Sequence, residues 1–229
     1  FFQAEDGIRH FCLSRGLGDV YKRQTEYSET FEEMKNFTKS RTPDTIDEIW
    51  VTEHQPVFTQ GIAGKEEHIL VPGEIPIVLS DRGGQVTYHG PGQVMAYLLF
   101  DLRRKKVLVR ELVFKIEQAI ICALRELAID GERLAGAPGI YVDSKKIASL
   151  GLRVSRGCSY HGLSLNVDMD LEPFERINPC GLKNIGVTQV SDLVSCQVDQ
   201  IKELLLKAIG DEFGFSSPNK LGSSRVSIF

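Results

Sequence analysis

Residues 82–93 read Arg-Gly-Gly-Gln-Val-Thr-Tyr-His-Gly-Pro-Gly-Gln, and Val94-Met-Ala-Tyr-Leu-Leu-Phe100 follows as an apolar run. Gly83, Gly84, Gly90, Pro91 and Gly92 punctuate the first stretch, yet Val86, Thr87 and Tyr88 interrupt them like a short strand. Glycines allow close backbone approach to a ligand and φ values closed to other residues. Arg82 and His89 set a fixed cation and a titratable ring at the ends of the segment. A flexible linker does not carry Val, Tyr and His in strand alternation. The stretch is the wall of a binding site, delivered into a buried strand.

Outward from that wall the pattern alternates between helix and strand. Tyr27, Phe31, Met34 and Phe37 make one stripe of an amphipathic helix. Ile49-Trp-Val-Thr-Glu53 is a β-rich run, His54–Gly61 a loop, and Pro76-Ile-Val-Leu79 a short strand entering the Gly-rich segment. Downstream, Leu112, Val113, Ile116, Ala119, Ile120, Ala123, Leu124 and Leu127 mark a long helix over 108–129. Gly139–Asp143, Lys146–Val154 and Tyr160–Val167 are three strands with short turns, a meander that predicts antiparallel pairing. Residues 170–190 are loop-rich, and Val198–Phe213 is a last amphipathic helix. Without repeat or linker, the chain predicts one α+β domain with a mixed or antiparallel sheet.

Composition narrows the class. The chain has 229 residues, 42% hydrophobic and 25% charged, enough for a sizeable core. No apolar run approaches the roughly 20 residues that span a bilayer. A net charge of −4 argues against a general nucleic-acid binder. Cys12, Cys122, Cys158, Cys180 and Cys196 are scattered, without a CxxC pair, which fits a reducing, cytoplasmic setting and no Cys-rich metal site. Residues 1–24 lack apolar period and cleavage site, so they are not a signal peptide. They resemble the translation of sequencing-adapter DNA, and the expectation is that the native fold enters near Thr25. On that expectation the chain divides into an artefactual 1–24, a folded functional domain over 25–215 and a loosely held, Ser-rich tail over 216–229.

Two residues are candidates for nucleophile and partner. Cys180 lies in Asn178-Pro-Cys-Gly181, where Pro and Gly fix a turn and leave the thiol uncrowded. Lys146 opens a strand, and its neighbour Lys145 faces the other way. Taken alone, each has an ordinary reading: a turn cysteine, and a solvated charge at a strand start. His89 and His161 have no third ligand at metal spacing, and His161 reads as a structural or pocket residue.

Together the motifs are specific. Arg82–Gln93, Lys146-Ile-Ala-Ser-Leu-Gly-Leu-Arg153, His161-Gly-Leu-Ser-Leu-Asn-Val-Asp168 and Asn178-Pro-Cys-Gly181 resemble the lipoyl(octanoyl) transferase family in order and spacing. His54–Gly61 and Ala137-Pro-Gly-Ile-Tyr-Val142 match as well. The resemblance implies a fold similar to biotin and lipoate protein ligases. It implies transfer of an octanoyl chain from octanoyl-acyl carrier protein to a lysine of lipoyl domains, those of 2-oxoacid dehydrogenase complexes and the glycine cleavage H protein. It implies no cofactor, no metal, no nucleic acid and no membrane. Carried over residue by residue, Cys180 is the acyl-thioester nucleophile and Lys146 the group that tunes it. Arg82, Gly83, Gly84, Gln85, Val86, Thr87, Tyr88 and His89 would line the substrate, with Ser149, Leu150, Gly151, Gly162, Leu163 and Ser164. One departure is that adapter-like sequence stands where the family's first strand precedes the Tyr27 helix. The rival readings are an ATP-dependent lipoate or biotin ligase on the same fold and a non-catalytic acyl-binding protein. Arg103-Arg-Lys-Lys106 and Arg110 are a basic cluster, either a solvated turn or a docking patch for the acidic carrier.

Overall fold

The computed structural model describes residues 24–178 and 186–214, and the backbone of 224–228. Cys180, the segment 1–23 and most of the expected tail lie outside the described residues.

The elements follow in chain order: β1 (Gln24–Thr25), α1 (Tyr27–Ser40), β2 (Asp47–His54), β3 (Val57–Gln60), β4 (Ile77–Leu79), β5 (Val86–His89) and β6 (Gln93–Leu99). Then come α2 (Leu102–Lys105), α3 (Val109–Arg125), β7 (Glu132–Leu134), β8 (Ala137–Val142), β9 (Lys145–Ser155), β10 (Cys158–Asn166), α4 (Val198–Phe213) and β11 (Ser224–Ile228). The main sheet runs β1-β2-β6-β10-β9-β8-β7, and β11 also pairs with β2. The expected meander is present, with β8, β9 and β10 antiparallel. β1 and β11 both run parallel to β2, so the sheet is mixed. β11 falls within the segment read as a tail and adds a strand beside Asp47–Val51.

Period-two alternation splits the core into two layers. From β2 and β6, Ile49, Val51, Val94, Ala96 and Leu98 face α3 and α4, where Leu112, Ile116, Ile120, Leu124, Ile201 and Leu205 complete the larger core. Trp50, Met95, Tyr97 and Leu99 face the other way, onto Tyr27, Phe31 and Met34 of α1. Each fully buried Leu or Ile contributes about 1.5–3 kcal/mol.

A small second sheet, β4-β3-β5, stands beside the α1 layer. Here the sequence reading needs correcting: His54–Gly61 is not all loop, because Val57–Gln60 is the central strand of this sheet. Four residues between Pro56 and Gly61 are too few to show a period. Their pairing partners, Ile77–Leu79 and Val86–His89, lie far along the chain. The long helix is also shorter than expected: it stops at Arg125, Ala128 takes a left-handed φ of 56°, and Ile129 turns back into the core. No helix among the described residues is long and apolar enough to cross a membrane.

Candidate active site

The Gly-rich segment lies over the α1 face of the main sheet and lines an open cleft there. Its walls contain Arg82, Gly84, Gln85, Val86, Thr87 and His89 from that segment. Ser149, Leu150 and Gly151 of β9 and Gly162, Leu163 and Ser164 of β10 form the facing wall. Twelve of the residues expected to line the substrate thus meet around one space. Gly83 braces it from behind, its N–H donating to the Leu152 carbonyl at 2.9 Å. Gly151 makes this approach possible, since a Cβ there would stand 3.0 Å from Arg82 Cδ and 3.1 Å from the Gly83 oxygen. Tyr88 turns away and packs with Phe58 and Phe174 in the core of the small sheet.

Arg82 is buried and its guanidinium is invested in the loop. Nε donates to Thr59 Oγ1 at 3.1 Å, Nη1 to the Gly83 carbonyl at 2.9 Å, and Nη2 to the Thr59 and Gln85 carbonyls at 2.6 and 2.7 Å. Its described contacts therefore shape the wall.

Tyr27, Met95, Tyr97 and His161 also line the cleft, and the sequence reading did not place them there as substrate contacts. Tyr27 belongs to a stripe that looks like ordinary helix core. Met95 and Tyr97 are the alternate face of a run that is apolar throughout, so no period marks which face is which. His161 carried the clearest signal, and the structure makes it a wall residue. It is 1% exposed, takes a left-handed φ of 59° inside β10, and its Nε2 lies 2.9 Å from Asp81 Oδ1. The carboxylate can only accept, so Nε2 carries the proton. Tyr160 donates its hydroxyl to the other Asp81 oxygen. Nδ1 of His161 is buried without a hydrogen-bond partner.

The histidines around the cleft are neutral at pH 7. Burial pulls His89 down to about 3, helped by the Arg82 cation, and burial pulls His54 down to about 4. His161 is lowered by burial too. Burial alone would raise Asp81, but hydrogen bonds from His161 and Tyr160 bring its carboxyl below the ordinary value.

Lys146 is 4% exposed, whereas Lys145 is exposed, as the alternation of a strand start requires. Its Nζ donates to the Pro138 carbonyl at 3.3 Å and lies 5.2 Å from the centre of the Tyr141 ring, a cation–π distance. Its backbone is held by Gly186, whose carbonyl accepts from Lys146 N at 2.8 Å, and by Thr188, whose N–H donates to the Lys146 carbonyl. The chain that contains Cys180 leaves the described residues at Asn178, tied through its N–H to the His68 carbonyl at 2.8 Å, and re-enters at Gly186 beside Lys146. Lys146 itself is not among the residues that line the cleft, but it lies on the same strand, three residues before Ser149.

The basic cluster is divided. Arg104 and Lys105 turn inward on Asp47, at 2.6 and 3.4 Å, and share this 1% exposed carboxylate with Arg41 at 2.5 Å. Arg103 stays exposed beside the Gly157 turn. That turn is at the opposite end of β9 from Lys146, eleven residues or roughly 35 Å of extended strand away.

The sheet order and the helices packed on it give a fold similar to that of lipoate protein ligases. The bi-partite lipoate protein ligase of Thermoplasma acidophilum superimposes with a TM-score of 0.62 over 88% of this chain and 81% of that one, at 16% identity. A lipoate-protein ligase A bound with ATP gives 0.64 over 87% and 80%, at 14% identity. At such identity the likeness concerns the fold. The family model for the lipoyl protein ligase A/B catalytic domain matches residues 26–210, and the chain belongs to that family. Within it, the octanoyltransferase of Cellvibrio japonicus is 55% identical over 83% of this chain and 90% of its own length, and that of Marinobacter nauticus 55% over 89% and 94%. This chain is accordingly an acyltransferase of the octanoyltransferase branch.

Proposed function

We propose that the protein moves an octanoyl (or lipoyl) group from octanoyl-acyl carrier protein to a lysine of a lipoyl domain, through a thioester on Cys180, in the cytoplasm. Lipoyl domains of 2-oxoacid dehydrogenase complexes and the glycine cleavage H protein are the acceptors. The observation that carries this reading is Lys146, buried on the strand whose next residues wall an apolar cleft.

The chemistry follows from the two substrates. Donor thioester to product amide is downhill, so no ATP is required. The acyl group must be parked while one protein leaves and another docks, and a thiolate does this as a second thioester. Free cysteine has a pKa of about 8.5 and needs activation. Lys146 supplies it, either as a cation beside the thiolate or as a neutral amine that takes the proton. The thiolate attacks the donor carbonyl, the carbon–sulfur bond to the carrier breaks, and the carrier thiolate leaves and takes up a proton. The acceptor amine then attacks the enzyme thioester, gives up a proton and expels the Cys180 thiolate as the amide forms. In the cleft, each buried methylene of the chain contributes about 0.8 kcal/mol.

The test is mass spectrometry of the protein incubated with octanoyl-carrier protein and no ATP. One hydroxylamine-labile octanoyl group should appear on the Cys180 peptide and pass to a lipoyl domain. Labelling at Cys122, Cys158 or Cys196, or absolute dependence on ATP, overturns the assignment.

A further inference from the structure

Glu117 of α3 is 7% exposed and is not among the residues walling the cleft. A buried carboxylate is costly unless paired and hydrogen-bonded, so its partners identify its role. Oε2 accepts from Arg133 Nε at 3.0 Å, and Oε1 accepts from the backbone N–H of Gly139 at 3.2 Å. Arg133 is itself fixed, with Nη2 donating to Gln118 Oε1 at 3.0 Å and to the Phe114 carbonyl at 3.1 Å.

The Gly139 N–H and the Pro138 carbonyl belong to one peptide unit. That unit is planar and trans, so the two groups point in opposite directions. Glu117 grips it from the N–H side. Lys146 Nζ grips it from the carbonyl side, at 3.3 Å. The pairing of β8 with β9 slips just here: Ile140 pairs with Ala148, but Tyr141 pairs with Lys146, leaving Ile147 as an extra residue. At such a bulge the ladder leaves a backbone group without its sheet partner. The Gly139 backbone (φ +132°) passes so close that a Cβ would stand 2.6 Å from the Ala148 oxygen and 3.3 Å from Lys146 Cε.

We infer that Glu117 is the positioning residue for Lys146: held by Arg133, its carboxylate fixes the Pro138–Gly139 peptide at the bulge, and that peptide presents its carbonyl to the Lys146 amino group. Glu117 acts only through the peptide. The inference rests on the role proposed for Lys146, but the placement of the lysine can be read without turnover.

Two readouts on the full-length protein test it. The first is kcat and KM with an octanoyl thioester. The second is the rate at which acetic anhydride acetylates Lys146 relative to Lys145, by peptide mass spectrometry. Glu117→Ala should lower kcat about tenfold or more at nearly unchanged KM, because small misplacements at a reacting centre are that costly. The Lys146-to-Lys145 labelling ratio should rise about threefold as the bracket loosens. Glu117→Gln keeps an oxygen for the Gly139 N–H and should restore both readouts most of the way. Should Glu117→Ala fail to fold, Arg133→Ala, which unpins the carboxylate from a partly exposed position, should shift both readouts in the same direction. An unchanged labelling ratio, a loss confined to KM, or a Gln variant no better than Ala overturns the inference. Lys146→Ala is the separate control. Wild-type kcat in that variant removes the proposed role of the lysine, while the labelling ratio in Glu117→Ala still decides how the lysine is placed.

Discussion

Lys202 of α4 and Glu53 near the end of β2 form an ion pair at 3.0 Å, and the other oxygen of Glu53 accepts from the Gly92 N–H at 2.7 Å. The pair ties the last helix to the turn that closes the Gly-rich segment. Glu53 is 2% exposed. Glu53→Ala leaves the Gly92 donor without its acceptor and Lys202 with Asp199 at 3.2 Å as its remaining ion-pair partner, and should cost about 1–3 kcal/mol by urea unfolding. Glu53→Gln keeps an acceptor for Gly92 and should cost clearly less. Equal losses in the two variants would show that the charge, rather than the hydrogen bond to the turn, holds this junction.

Lys146 and Lys145 should separate cleanly in activity. Only Lys146 is buried, against Pro138, Tyr141 and the Gly139 backbone. Lys146→Ala should lower kcat at least about a hundredfold, the usual scale of a proton-transfer group. Lys145→Ala should stay within about twofold, as for an exposed side chain. Lys146→Arg should also lose most activity, since arginine keeps its proton at every accessible pH. An active Lys146→Arg enzyme would mean that a positive charge alone suffices.

Much of this site is legible in the chain because glycine spacing and strand alternation are local signals. Arg82–His89, Ser149–Gly151 and Gly162–Ser164 each announce themselves within a few residues, and the structure brings twelve of them to one cleft. What stays hidden depends on pairing at long range. Val57–Gln60 looks like loop until β5 lies alongside it. Tyr27 and Tyr97 look like core because both are buried in the α1 layer, although they also line the cleft. The Asp81–His161 pair joins residues eighty positions apart, and no spacing rule connects them. Glu117 falls in a helix among apolar residues, and only the fold reveals that Gly139 and Arg133 meet it.

The buried imidazoles make stability depend on pH with a definite sign. His54 and His89 are held near 4 and 3, below the ordinary imidazole value of 6.5. Between pH 6.5 and 4 the unfolded chain therefore binds protons that the folded chain refuses. Their contribution is complete above pH 6.5 and is lost as pH falls toward 4, at roughly 1.4 kcal/mol per pH unit for each ring once the unfolded form is protonated. Urea unfolding at a series of pH values from 7.5 to 4.5 should show this slope, and His54→Gln should reduce it. A His54→Gln slope equal to wild type would mean that the ring is protonated in the folded protein.

The basic cluster after β6 should divide into a structural half and a solvent-facing half. Asp47 is 1% exposed, and Arg104 reaches it at 2.6 Å while donating to the Pro43 and Thr45 carbonyls at 3.0 and 2.9 Å. Arg104→Glu places a second carboxylate beside a buried one and should destabilise by about 3 kcal/mol or more. Arg103 is 72% exposed at its side chain, so Arg103→Glu should change stability by less than about 0.5 kcal/mol. Arg103→Glu is therefore the variant that can report on carrier docking without a folding defect. If the exposed cations steer an acidic carrier, Arg103→Glu should slow acylation by octanoyl-carrier protein but not by a small octanoyl thioester. The difference should shrink with added salt, because the Debye length is about 8 Å at physiological ionic strength. Equal slowing with both donors, or no change in either, would mean that the cluster is merely solvated.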